Sequence, residues 1–114
     1  MALDAITDTN FDTEVLKETD KDLVLVKFWA PWCRPCLLTS ALLDELKPDY
    51  QDKIKFVQLN TDENPTTCSI YKVSGVPTLL LFNKGELVDQ LASLGSRAQI
   101  RNTFDKHLAR IAEA

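Results

Sequence analysis

Nowhere in these 114 residues does an apolar run approach the roughly 20 positions needed to cross a bilayer, so a spanning helix is excluded. The opening Met1-Ala2-Leu3-Asp4-Ala5 has neither a basic stretch nor a following apolar one, which argues against a secretion signal. The expected location is the cytoplasm, or an organelle stroma or matrix if a transit segment has been removed. No block of Lys or Arg interrupts the net charge of −4, so no track of phosphates could be neutralised and no nucleic-acid partner is expected. Cysteine is sparse and odd in number, at three, unlike the dense even framework of a small secreted scaffold. Internal repeats, low-complexity segments and linkers are all missing.

What is present suits a single packed domain over 1–114, because 45% of the residues are hydrophobic and the length is too short for two cores. Thr9-Asn10-Phe11-Asp12 supplies capping residues before a short helical pattern from Phe11 to Glu18. Leu23 to Trp29 (LVLVKFW) reads as a strand buried on both faces. Leu37, Leu38, Ala41, Leu42 and Leu46 then recur at helical spacing, predicting a helix from about Cys33 to Lys47 that Pro48 helps to end. Ile54 to Asn60 alternates as a strand, and Asn64-Pro65 opens a shorter helix to about Tyr71. Pro77 to Phe82 is a third apolar strand, Asn83-Lys84-Gly85-Glu86 signals a hairpin, and Glu86 to Ala92 is its return strand. Ser96 to Ala112 closes the chain as an amphipathic helix with Ile100, Phe104, Leu108 and Ile111 on one side. With a short first strand near Ala5-Ile6, the pattern predicts an α/β fold in three layers, a mixed central sheet of four to five strands covered by about four helices.

Cys33 and Cys36 fall where a buried strand hands over to a long helix. Two intervening residues put the thiols about one helical turn apart, close enough for a disulfide. The first cysteine faces the unpaired N–H groups and positive dipole end of the helix, which favour thiolate. Thiolate attacks a substrate disulfide, and the second thiol resolves the mixed disulfide. Cys33 is therefore the expected nucleophile and Cys36 the resolving thiol. Half of a zinc site is the competing reading, but the remaining ligands could only be Cys68 and His107, and neither belongs to a second close pair. Redox chemistry is expected, with no metal.

Phe28-Trp29-Ala30-Pro31-Trp32-Cys33-Arg34-Pro35-Cys36 resembles the active-site segment of the thioredoxin family. Gly75-Val76-Pro77-Thr78 is similar to that family's cis-proline loop, Asn83-Lys84-Gly85-Glu86 to its hairpin, and Gly95 falls where it has a substrate-contact glycine. The resemblance runs from about Ile6 to Ile111 and implies a thioredoxin fold acting as a thiol–disulfide oxidoreductase. It implies that Pro77 follows a cis bond against the disulfide, where the plainer reading is a strand-starting proline. By the same resemblance Trp32, Val76, Pro77 and Gly95 form the rim on which substrates dock, and Trp29 packs beneath the site with Asp62 bonding its indole. Simple core filling is the alternative for Trp29. Protein disulfides are the implied substrates and an NADPH- or ferredoxin-dependent thioredoxin reductase the implied electron donor. No cofactor need be bound beyond the Cys33–Cys36 pair itself, and the chain is expected to work as a monomer.

Four positions depart from the family pattern. The first is Lys27, which stands where an Asp is usual below the resolving cysteine, opposite Gln58 where a Lys is often found; the other three follow. A protonated Lys cannot accept a thiol proton, though it can stabilise a thiolate; the plainer reading is a lysine reaching outward from the strand end. Arg34 replaces the glycine between the cysteines and adds a cation, whereas Pro35 is retained. Leu37 stands where many relatives are basic, and Ala41 where a helix-kinking proline is common. These changes leave two alternatives beside the reductase: a non-catalytic binding module, and a more oxidising exchange or isomerase-like protein. Cys68 is expected to be a buried structural thiol, and His107 a solvent-facing helix residue.

Overall fold

The computed structural model describes residues 3–91 and 96–113. Its elements run β1 (Asp4–Ile6), a π-helical turn (Asp12–Leu16), β2 (Leu23–Trp29), α1 (Pro35–Tyr50), β3 (Ile54–Asn60), α2 (Pro65–Ile70), β4 (Thr78–Asn83), β5 (Glu86–Leu91) and α3 (Arg97–Glu113). The strands form one sheet in the order β1-β3-β2-β4-β5. β1 and β2 pair parallel with β3, and β4 pairs antiparallel with both β2 and β5. The α/β class and the mixed sheet are those expected, and β1 is the short first strand.

The period-2 alternation of β2 divides the core in two. Leu23 and Leu25 face one side, where they join Leu43, Leu46 and Tyr50 of α1 with Ile100 and Phe104 of α3. Val24, Val26 and Phe28 face the other, against Phe11 and Val15 near the π-turn and Tyr71 after α2. That is the three-layer arrangement.

The hairpin between β4 and β5 has Lys84 at φ 49° and Gly85 at φ 85°, the paired left-handed geometry of a tight two-residue turn. Gly85 is required twice over: its φ is one L-residues avoid, and an added Cβ would lie 2.9 Å from the Leu16 carbonyl oxygen. Ser96 and Gln99 start α3 as a capping box, the Gln99 N–H donating to Ser96 Oγ at 3.2 Å and the Ser96 N–H to Gln99 Oε1 at 2.8 Å.

Three expectations need correction. Pro48 lies inside α1 and does not end it. The missing N–H falls in the final turn, where Gln51 still donates to the Lys47 carbonyl at 2.8 Å and Tyr50 is locked against the Phe104 ring at 5.0 Å. The Phe11–Glu18 segment is a five-residue π-turn, since Lys17 N–H reaches the Asp12 carbonyl at 2.9 Å and Glu18 leaves to pair with Lys55. His107 does not face solvent: it is buried, with Nε2 2.8 Å from Asp89 Oδ2. The hydrophobic stripe of α3 ran through positions 100, 104, 108 and 111, but the buried flank turns toward β5 and takes in His107. The last residue of the predicted strand, Ala92, lies outside the described residues.

Candidate active site

β2 delivers its chain to the end of the sheet, and Ala30 to Arg34 turn it back into α1. The Cys33 N–H donates to the Ala30 carbonyl at 3.1 Å, which tightens the turn. Pro35 occupies the first helical position, where its preset φ fits and its missing N–H costs nothing. Cys33 and Cys36 are joined as a disulfide with Cα atoms 5.4 Å apart. The Cys36 N–H, one of the donors a helix start leaves unpaired, donates to Cys33 Sγ at 3.2 Å. Helix and sulfur are thus connected as the spacing predicts.

Ala30, both cysteines, Trp29 and Val76 pack into one small cluster. Val76–Pro77 is a cis peptide, and Thr78 Oγ1 donates to the Gly75 carbonyl at 2.7 Å, pinning the loop. Pairing of β2 with β4 ends at Phe28–Thr78, so Pro77 sits level with the end of β2. The strand-starting alternative for Pro77 therefore gives way to the cis loop. Trp32 is 69% exposed, and its Nε1 donates to Asp62 Oδ1 at 3.3 Å. This corrects the expected Trp29–Asp62 bond: Trp29 is half-buried in the cysteine cluster, whereas the loop carrying Asp62 comes up beside Trp32. Gly95 lies outside the described residues.

Lys27 is only 2% exposed, so the outward-reaching reading fails. It lies on the α1 side of the sheet, beside Gln58 in the β2–β3 register, and its Nζ donates to Ser40 Oγ. Burial pushes the ammonium below the usual lysine range, and the charge of Asp44 offsets only part of that. Lys27, Ser40, Gln58 and both cysteines line a cavity of about 220 Å³ that reaches Arg34 and Leu37 at the surface. Ser40 was not singled out from the sequence, although its position four residues after Cys36 was a usable signal.

Across the site, Trp32, Pro65, Cys68, Val73, Gly75 and Val76 line a larger groove of about 620 Å³. Cys68 is half-buried on that wall, more accessible than expected, and burial together with the charge of Asp8 pushes its thiol up. Such a thiol is a weak nucleophile at neutral pH. His107 is committed to Asp89 at the far edge, and among the described residues no three His, Cys, Asp or Glu side chains converge as a metal site would need.

A disulfide at a helix start, flanked by a cis-proline loop on a mixed α/β sheet, defines a thiol–disulfide oxidoreductase whose redox group is its own cysteine pair. Residues 2–106 match the thioredoxin family model. Thioredoxin 1 of Synechococcus elongatus is 43% identical over 104 residues, covering 91% of this chain and 95% of that protein. A thioredoxin of Griffithsia pacifica is 40% identical over 108 residues, covering 95% and 97%, and thioredoxin 1 of a Nostoc species is 43% identical over 104, covering 90% and 94%. The chain belongs to the thioredoxin family. Acting on disulfides is the family's general chemistry.

Proposed function

We propose that this protein reduces protein disulfides, with Cys33 as nucleophile and Cys36 as resolving thiol. The observation that supports the assignment is the Cys36 N–H directed at Cys33 Sγ, since that donor stabilises negative charge on the first sulfur and not the second. The Cys33 thiolate attacks one substrate sulfur, forming a mixed disulfide and expelling the other as thiolate. Cys36, as thiolate, then attacks Cys33 Sγ, closing the internal disulfide and releasing the second substrate thiolate. Two electrons end on the substrate, whose two thiolates take their protons from water. Trp32, Val76 and Pro77 offer the docking rim, to which family resemblance adds Gly95. Arg34 and Lys27 adjust the potential, and Pro35 keeps the turn stiff.

A thioredoxin reductase, NADPH- or ferredoxin-dependent, recharges the pair. The proposed setting is a reducing one, cytosol or organelle stroma or matrix, where such a donor keeps the dithiol available. One domain working as a monomer suffices for this chemistry. Insulin disulfide reduction in dithiothreitol is the test: the protein accelerates it well above a Cys36→Ser variant. Equal rates would leave only a binding module on the same rim.

A further inference from the structure

The cavity beneath the disulfide holds a charge that the exchange mechanism does not yet use. Cys36, Ser40 and Asp44 are spaced four apart on α1 and fall on one helical face. Lys27 lies under that face, bonded to Ser40 and within the field of Asp44. Groups from four parts of the fold face it among the described residues. α1 brings Cys36, Ser40 and Asp44, the active-site turn brings Cys33 and Arg34, β3 brings the uncharged Gln58, and β4 brings Leu79. Gln58 donates its amide to the Leu3 carbonyl at 3.1 Å and carries no charge. Among the described residues lining this cavity, Lys27 is the buried cation, and Arg34 reaches it from the exposed surface.

We propose that Lys27, anchored on Ser40, is a positioning residue for Cys36 that keeps the resolving sulfur as thiolate whenever the disulfide is open. The proposal rests on the oxidoreductase reading above and names the part of that site which prepares the second step. Its balance is simple. A dithiol reductant delivers two electrons and the Cys33–Cys36 bond breaks; of the reductant's two protons one goes to Cys33 and the other to water, because the Lys27 ammonium holds Cys36 as thiolate. In the disulfide form no thiolate faces the buried amine, and its cation is supported by the Ser40 hydroxyl and the charge of Asp44. In the open form thiolate and ammonium support each other, which is reciprocal coupling. Cys36 then attacks the mixed disulfide without first losing a proton to water.

The test isolates Cys36 by replacing Cys33 and Cys68 with Ser and follows its thiolate absorbance against pH. Cys36 titrates below the ordinary cysteine value of about 8.5, and adding Lys27→Met raises its pKa by about one unit, a tenfold loss of thiolate. Ser40→Ala, which removes the anchor of the amine, shifts it the same way by less. In the two-cysteine protein, Lys27→Met makes the disulfide about tenfold harder to reduce by glutathione, about 30 mV for this two-electron couple. An unchanged Cys36 pKa in Lys27→Met overturns the proposal, and if that variant does not fold, an unchanged value in Ser40→Ala does so. Failure of insulin reduction with the shift intact would remove the reductase reading and leave this one standing.

Discussion

The α1 side of the sheet has two ends built on opposite rules. At the end away from the cysteines, Leu23, Leu25, Ile54 and Phe56 meet Tyr50 and Phe104, with Phe104 edge-on to Tyr50 at 5.0 Å and to Phe56 at 5.9 Å between centroids. At the cysteine end the same two strands and the same helix continue with Lys27, Gln58 and Ser40 around an open cavity. One end is filled by shape, the other left polar and incompletely packed. Binding energy for the fold is concentrated where no chemistry happens, and the reacting end spends some of it on a buried amine.

The largest effect that sharpens this contrast belongs to Phe104→Ala. Truncating a fully buried ring costs about 3–5 kcal/mol by denaturant titration, with the potential of the cysteine pair unchanged. A shifted potential in that variant would mean the ends are coupled through α1. Lys27→Met goes the other way. Replacing a buried amine by an apolar chain of similar length stabilises the fold by about 1 kcal/mol while the disulfide becomes harder to reduce. A loss of stability there would show that the polar end also holds the fold together.

Asp89 gives a smaller, pH-dependent effect at the sheet edge. Burial opposes its ionisation, but the His107 ring, the Gln90 amide and Lys106 outweigh that and hold its carboxyl below the usual range. A depressed carboxylate contributes stability above its unfolded pKa, near 3.9, and loses it as pH falls through the folded value. Asp89→Asn therefore costs about 1 kcal/mol at neutral pH and flattens the acid side of the stability profile. A parallel profile would remove the pair from the account. Smallest of all is Arg34→Gly. Arg34 is exposed, so its effect on exchange rate stays below about twofold at physiological salt and vanishes near 1 M, where screening shortens to about 3 Å. A salt-resistant change would place Arg34 in the docking contact itself.

Local patterns made much of this legible. The two-sided burial of β2, the alternation of β3, the Lys84-Gly85 turn and the Cys33–Cys36 spacing each depend on neighbours within a few residues, and each stands as read. The errors share a different origin. Whether Asp62 meets Trp29 or Trp32, and whether His107 faces water or Asp89, depends on loops and strands that come together from 18 to 30 positions away. Pro48 breaks an isolated helix on steric grounds, yet Tyr50 is held by a ring on α3 and the last turn survives.

By itself the sequence determined the order of strands and helices, the two-sided burial of the central strand and the thiol pair at a helix start, because period, turn chemistry and dipole act along the chain. Only the tertiary structure decided where the buried charges go. Lys27 was visibly misplaced in an apolar strand, but its partner Ser40 follows from α1 lying over β2. The N-terminus of α2 takes its cap from Asp8, which accepts the Thr67 N–H at 2.8 Å from 59 positions away. A polar group in a core must find a partner, and which partner is a matter of three-dimensional packing that no local pattern encodes.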